Sequence, residues 1–582
     1  MLEKLRPYWQ ALPDIFTYQI LTKPIIGLWI FLLGRITQEL LTSTGRVAVT
    51  SGDFGFLFKT WQGYLILLIG LVSLFIYIAF DLNTKIVLSR KLVTGEEISV
   101  WRSMDEGFRS LRGLLSLRGL ITCLYIALIA PLIGLGVSTT LTRGFYIPTF
   151  ITSVISESPL FSILLTLAML VFLSVGVADL FVLHGIVLDR LSAKEAAVQS
   201  GRLMHEHWKN YLKENLLFAF VMIVVLGIIV IVGLVLPLMV IQVLPMAQSV
   251  RRFLLILFVL AGCIVSALAC LTTTPIYFMK MTQLFYSYKN GEKQEYAQKE
   301  SKKHPLAVPG IALVVAILIA ASIGIDRNFD TMFPQGSDVQ VIAHRAGGNE
   351  GAENTVQGLE IAAALGAYGS EIDIQRTKDG AYILLHDGDF KRVAGDDRTP
   401  EEMTLKEIRK LSVDGEPIPT FEEALSACKG RLVLFTELKG KTADRKMAED
   451  AVKIIRKYGM EKECVLVSLK YDLIDYIETR DPDIQTGFLL FTAFGNTAKL
   501  NCDYLGMEEE SATEKTISSV HKQKKKMLVW TANEERSQKH FLCTEADGII
   551  TDEVRQAEEI RQKLDDRTDL QRMIDWIMAV VG

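Results

Sequence analysis

The chain lacks a basic excess: Lys and Arg number 62 against 66 Asp and Glu, for a formal net charge of −4. A nucleic-acid surface needs a clear surplus of clustered cations, so nucleic acid is not an expected partner. Closely spaced cysteine pairs are also missing. Of seven cysteines, Cys123, Cys263 and Cys270 lie in apolar runs and read as small buried hydrophobes. Cys428, Cys464, Cys502 and Cys543 are scattered without a C-x-x-C pattern, which excludes a zinc ribbon on spacing and signals no disulfide framework. Lys4 and Arg6 precede the first apolar run, but no A-x-A-like site follows it. That run is therefore expected to stay as an anchor.

What the chain has in plenty is long apolar stretches, all before residue 326. Seven reach or approach the roughly 20 residues that a spanning helix needs: 18–34, 61–81, 119–138, 160–187, 216–240, 253–276 and 306–325. The first is interrupted by Lys23 and Pro24. Basic residues gather in alternate connections. Lys85, Arg90, Lys91, Arg102, Arg109, Arg112 and Arg118 fill one, and Lys280, Lys289, Lys293, Lys299, Lys302 and Lys303 precede the last run. The opposite connections are poor in them. By the positive-inside rule the N-terminus is cytoplasmic, and an odd number of spans puts everything after Ile325 outside a cell membrane crossed several times. Asp179 and His184 are ionisable residues inside the fourth run. Asp179 needs a partner from another helix or a wet cavity.

Beyond a short linker at 326–338 the pattern changes to short β runs alternating with helical stretches, the mark of an α/β domain. Strands are expected at 339–343, 371–374, 382–385, 432–435, 465–467, 487–490, 504–507, 527–530 and 548–550. The second and third are separated only by Arg376-Thr377-Lys378-Asp379-Gly380, too short for a parallel crossover and shaped like a hairpin turn. The expected architecture is an all-α polytopic membrane domain over 1–325 with about seven spans, then a TIM-like (β/α)8 barrel over 339–562 with one strand outside the parallel count. An amphipathic tail at 563–582 is expected to pack on the barrel.

Active sites of such barrels gather at the C-terminal ends of the strands. Read in order, those ends carry His344 and Arg345, Glu371 and Asp373, His386 and Asp387, and Glu437 and Lys439. Residues two apart on a strand share a side, so Glu371 with Asp373, and Glu437 with Lys439, point the same way. A lone histidine at a strand end is usually structural, and a lone Glu-x-Lys is usually a surface ion pair. Convergence overturns those readings. Three carboxylates form an oxygen-rich pocket for Ca²⁺ or Mg²⁺; two histidines exchange protons near neutral pH; Arg345 and Lys439 hold an anion. Together they fit phosphodiester hydrolysis. His521 and His540 lack such company and read as surface residues.

These residues fall in spaced motifs that resemble the glycerophosphodiester phosphodiesterase family from Val341 to about Val554. The motifs are His344-Arg345, Glu353-Asn354-Thr355, Glu371-x-Asp373, Thr377-x-Asp379-Gly380, His386-Asp387, Pro419-Thr420-Phe421-Glu422-Glu423, Glu437-x-Lys439, Trp530-Thr531 and Asp547 to Asp552. The apolar half is similar to the membrane domain fused to some bacterial members. The resemblance implies a divalent cation on Glu371, Asp373 and Glu437, with His344 as general base and His386 as general acid. Arg345 and Lys439 would bind phosphate, Glu353 would be a further active-site carboxylate, and Trp530 would pack on the glycerol moiety or belong to the core. The reaction it implies yields glycerol 3-phosphate and an alcohol. The substrate is then a glycerophosphodiester such as a deacylated headgroup, a lysophospholipid or a glycerophosphate polymer, met at the bilayer surface. Two departures stand out: Ala346 where the family usually has Gly, and Ala352 where it usually has Pro. Rival readings are a lipid-handling or transport membrane domain whose barrel only binds ligand, toward which Asp179 leans, and a phospholipase C-like reaction on the same barrel type.

Overall fold

The structure, a computed structural model, describes residues 2–46, 48–50, 55–96, 99–126, 158–296, 307–491 and 493–581. The chain divides into two compact units, Met1–Arg35 with Leu65–Arg327, and Ile36–Tyr64 with Asn328–Gly582. The segment 36–64, which the sequence assigns to the membrane domain, thus groups with the barrel.

Five helical stretches among the described residues are long and apolar enough to cross a membrane: Arg6–Thr42, Trp61–Thr94, Pro159–Leu188, Ala193–Val243 and Gln248–Asn290. The expected seven are not confirmed by these five. The run at 119–138 passes outside the described residues, and the seventh coincides with helix Ala307–Arg327, which is not among the five. Pro24 does not end the first helix, which continues from Leu2 to Thr42. A proline removes one backbone bond, and its neighbours can carry the helix through. Helix Pro159–Ala178 buries none of its residues and leaves Leu160, Ile163, Leu164 and Leu167 exposed, a surface suited to lipid and unsuited to water.

Asp179 ends that helix instead of lying within it, and its carboxylate pairs with the guanidinium of Arg118. Its partner thus comes from another helix. His184 lies beyond the break, fully buried, with Nε2 3.2 Å from Thr282 Oγ1.

Among the described residues the second unit is built on thirteen short strands, the first of them contributed by the 36–64 segment. They are β1 (Ala48–Thr50), β2 (Gln340–Ala343), β3 (Gly369–Arg376), β4 (Tyr382–Leu384), β5 (Ser412–Val413), β6 (Glu416–Pro417), β7 (Val433–Leu438), β8 (Cys464–Ser468), β9 (Thr486–Leu490), β10 (Ala493–Gly495), β11 (Tyr504–Glu508), β12 (Lys526–Trp530) and β13 (Gly548–Thr551). Eight of them run parallel in the order β2-β13-β12-β11-β9-β8-β7-β3, and pairing of β2 with β3 closes the barrel. β4 lies antiparallel to β3, outside the closed set, as the short turn at 376–380 requires.

Strict alternation explains the closure. Val341, Ile372, Ile374, Leu434, Leu466, Phe488, Leu505, Met527 and Val529 face the surrounding helices. Their neighbours Ile342, Phe435, Val465, Val467, Leu489, Tyr504, Leu528 and Ile550 fill the barrel axis. Each such aliphatic side chain stabilises the fold by about 1.5–3 kcal/mol on full burial. Helix ends are set locally. Thr420 and Glu423 form a reciprocal capping box, which accounts for the Thr420 to Glu423 stretch of the sequence. The C-terminal helix Asp569–Val581 is fastened by Arg572 to the Phe333 carbonyl, by Asp575 to Lys539 at 2.8 Å, and by Trp576 edge-on to Phe333.

Candidate active site

Because Ile372 and Ile374 face the helices, Glu371 and Asp373 face the barrel axis at the C-terminal end of β3. Glu437 on β7 sits opposite Asp373 in the register of the two strands. Oxygens of these three buried carboxylates lie within 4.8 Å of one another. Burial and the neighbouring Asp373 charge raise the Glu371 pKa to about 7. Burial also raises Glu437 to about 8, against the opposing pull of Lys439 and with Asp373 and Glu371 adding to it. Burial acts the same way on Asp373, but Lys439, His386 and a hydrogen bond from Asn354 outweigh it and bring that carboxyl down to about 2. An all-oxygen set too negative for its own burial fits a hard divalent cation.

His344 follows β2. Its amide donates to the Thr551 carbonyl at 2.9 Å and its Nδ1 lies 2.7 Å from Asp552 Oδ1, so Nε2 is the nitrogen not committed to Asp552. Burial disfavours its charged form, yet the bond to Asp552 and the charge of Glu371 prevail and the pKa is raised.

His386 arrives by a different route. β3 runs past the rim and turns through Gly380 at φ 86°, and β4 returns until the Leu385 amide donates to the Asp373 carbonyl at 3.0 Å. Thr377 and Asp379 fasten that turn at 2.7 Å. The strand outside the barrel count is therefore what lowers His386 to the level of the carboxylates. Its Nδ1 is 2.8 Å from Asp387, and Gln375 Nε2 donates to the Asp387 carbonyl at 2.6 Å. Burial lowers the pKa of His386. The two imidazoles are thus shifted in opposite directions, His344 up and His386 down.

Arg345 donates its amide to Glu371 Oε2 at 3.0 Å, and its guanidinium reaches Glu353 at 3.4 Å. Both Arg345 and Ala346 hold left-handed backbone, φ 48° and 78°. At the second a glycine would be unstrained, so the departure from the family pattern lies in a turn that binds Glu371: the Ala346 amide donates to the Glu371 carbonyl at 2.7 Å. Lys439 Nζ lies 2.9 Å from Glu437 and 3.0 Å from Asp373. Glu353 is not in the carboxylate cluster; Arg392 grips it with two bonds of 2.9 and 2.7 Å. Trp530 is half-buried above the axial layer, its ring 4.9 Å from that of Phe491.

The sequence assigned no role to Asp552, Asp387, Asn354 and Arg392. The first three sit inside the quoted motifs; Asn354 holds Asp373 both ways, at 2.9 and 3.1 Å. Arg392 lies in no motif. His521 is paired with Asp547 at 2.8 Å at the other end of the barrel, and His540 stacks edge-on against Phe541.

Fold and site define a TIM-barrel enzyme with an apolar helical unit ahead of it. The membrane domain of glycerophosphoryl diester phosphodiesterase, as a family, matches residues 5–322, and the glycerophosphoryl diester phosphodiesterase family matches residues 344–556. The chain belongs to the glycerophosphodiester phosphodiesterases that carry a membrane domain. A glycerophosphodiester phosphodiesterase of Caldanaerobacter subterraneus is 27% identical over 227 residues, covering 37% of this chain and 93% of that protein. One from Bacillus altitudinis is 24% identical over 242 residues, covering 39% and 99%. Among solved structures, an Oleispira antarctica phosphodiesterase in complex with the product sn-glycerol-3-phosphate is 21% identical, covers 38% of this chain and 96% of that one, and has a TM-score of 0.36.

Proposed function

We propose that this enzyme hydrolyses glycerophosphodiesters to glycerol 3-phosphate and an alcohol by metal-dependent acid–base catalysis at the outer membrane–water interface. The observation that carries this reading is the convergence of Glu371, Asp373 and Glu437 oxygens within 4.8 Å, beside two histidines each tied to an aspartate. Those three carboxylates would hold Ca²⁺ or Mg²⁺, which supplies positive charge for the phosphate and, next to His344, reverses the negative charge that now raises its pKa. Asp552 and Asp387 fix each imidazole through Nδ1 and turn Nε2 to the reaction. His344 takes a proton from the attacking water, and His386 gives one to the departing alkoxide as the new P–O bond forms and the bond to the alcohol breaks. Arg345 meets the phosphate, with its backbone anchored on Glu371. Lys439 serves the same anion while bridging two of the carboxylates. Glu353 orients Arg345 and Arg392, and Trp530 packs on the glycerol moiety of the substrate.

The surroundings follow from charge and connectivity. Basic residues in alternate connections place the N-terminus in the cytoplasm and the barrel outside a cell membrane crossed several times. The domains are then 1–325, a linker at 326–338, the barrel at 339–562 and the tail at 563–582. Substrates are deacylated headgroups, lysophospholipids or glycerophosphate polymers, met on the bilayer; nucleic acid is not a partner.

The test is glycerol 3-phosphate release by purified full-length protein after chelation and restoration of Ca²⁺ or Mg²⁺, beside His344→Ala. Release that needs the cation and disappears in the variant supports the reading. No release from any diester would reduce the barrel to a binding module.

A further inference from the structure

The residues that carry the chemistry occupy one half of the barrel mouth, at the ends of β13, β2, β3 and β7. The other half, at the ends of β8, β9, β11 and β12, has a different character. Leu469, Phe491 and Trp530 stand there, and the buried Glu508 lies opposite Trp530 in the strand register. Trp530 Nε1 is buried and makes no hydrogen bond.

Over this half the fold does something the barrel alone does not require. β9 ends at Leu490, and β10 begins two residues after Phe491. β10 does not join the barrel. It pairs antiparallel with β1, Ala48 opposite Gly495, Val49 opposite Phe494 and Thr50 opposite Ala493. β1 comes from the segment that links the first two apolar helices. Two three-residue strands cannot hold each other by backbone bonds alone. The segment is anchored by side chains: Val49 is fully buried, Leu41, Phe56 and Leu57 are buried, and the Arg46 guanidinium lies 4.9 Å from the Phe56 ring centre. The same segment leaves Phe58, Trp61 and Tyr64 at 62, 65 and 57% exposure. Large rings left in the open beside an apolar helix are what a chain presents to lipid headgroups.

We propose that segment 36–64 is a positioning element of the catalytic mouth: by adding β1 to β10 it holds Phe491, just ahead of β10, in place, and the wall that Phe491 and Trp530 form receives the hydrocarbon chain of a lipid-borne diester. The inference rests on the hydrolytic reading above and narrows its substrate class to diesters of the lysophospholipid kind. Val49 acts through β10, and Phe491 touches the chain.

The experiment compares full-length wild type, Val49→Pro, Phe491→Ala and the double variant on lysophosphatidylethanolamine in micelles and on soluble glycerophosphoethanolamine. Each single variant should lower the ratio of kcat/KM between the lysolipid and the small diester about tenfold, equal to losing contact with roughly two methylenes. The loss should fall on KM, the double variant should lose no more than either single, and Val49→Ile should retain the wild-type ratio. Equal losses on both substrates, or an unchanged ratio, would overturn the proposal, and so would a wild type that cleaves only the small diester. Phe491→Ala leaves the β1–β10 pair intact and decides the matter if Val49→Pro does not fold. A wild type that cleaves neither substrate would instead refute the hydrolytic reading itself.

Discussion

The two ends of β13 carry the same pair of residues and have different fates. At its C-terminal end Asp552 holds His344 at 2.7 Å; at its N-terminal end Asp547 holds His521 at 2.8 Å. The lower pair borders a cavity of about 580 Å³ shared with Gln340, Tyr368, Tyr504 and Lys526. There Asp547 also accepts the Met527 amide at 2.7 Å, so it ties strand to helix. Among the described residues only the upper end has carboxylates converging to hold a metal ion. A His–Asp pair is therefore not what makes a site. The charged cluster it faces does.

The largest expected effect separates the ends directly. His344→Ala should lower kcat by about 10²–10⁴, while His521→Ala should leave turnover within about twofold and cost on the order of 1 kcal/mol of stability. Steady-state kinetics and thermal melts on both variants decide it.

The second contrast is in pH. Glu371 and Glu437 have folded-state pKa values above those of an unfolded chain, so the folded state binds more protons than the unfolded one between those values. Their contribution is complete below the unfolded pKa and is lost as pH rises through the folded pKa. Chelated protein should lose on the order of 5 °C of Tm between about pH 5 and about pH 8. Saturating Ca²⁺ or Mg²⁺ should remove the loss, and Glu437→Gln should flatten it. A Tm that rises over that range would contradict the assignment.

Next, Asp552→Asn should reduce kcat about 10- to 100-fold with little change in KM, because the imidazole loses its orienting acceptor. Asp547→Asn should not touch kcat. The smallest effect is near balance: Ala346→Gly should change the stability of the fold by no more than about 1 kcal/mol, since relief of the left-handed turn is offset by the lost buried methyl and a freer unfolded chain. Urea unfolding of the two proteins measures it.

Much of this was legible in the sequence because parallel strands buried on both faces read as short apolar runs with chemistry at their ends. All nine strands of the barrel sheet and the hairpin after Arg376 could be placed that way, and the motif residues followed. What the sequence hid had no local signature. Asp552 matters only because β13 and β2 are neighbours, although they stand at opposite ends of the domain. Arg392 lies on a loop that gains meaning only once Glu353 is beside it. The count of spans was not confirmed because the run at 119–138 passes outside the described residues and helix Ala307–Arg327 is not among the five candidates. β1 was invisible: three residues between two apolar helices carry no pattern, and their partner is remote.

That remoteness has a consequence for how the molecule is made. β1 leaves the ribosome hundreds of residues before β10 exists, and until then its backbone groups have no strand to pair with. Being only three residues long, it offers other chains little to template on while it waits. Once the pair forms, the polypeptide is tied nearly end to end without a covalent bond. A protease that cut the chain at 326–338 would sever the barrel's peptide connection to the apolar helices and still leave it stapled to them through β1.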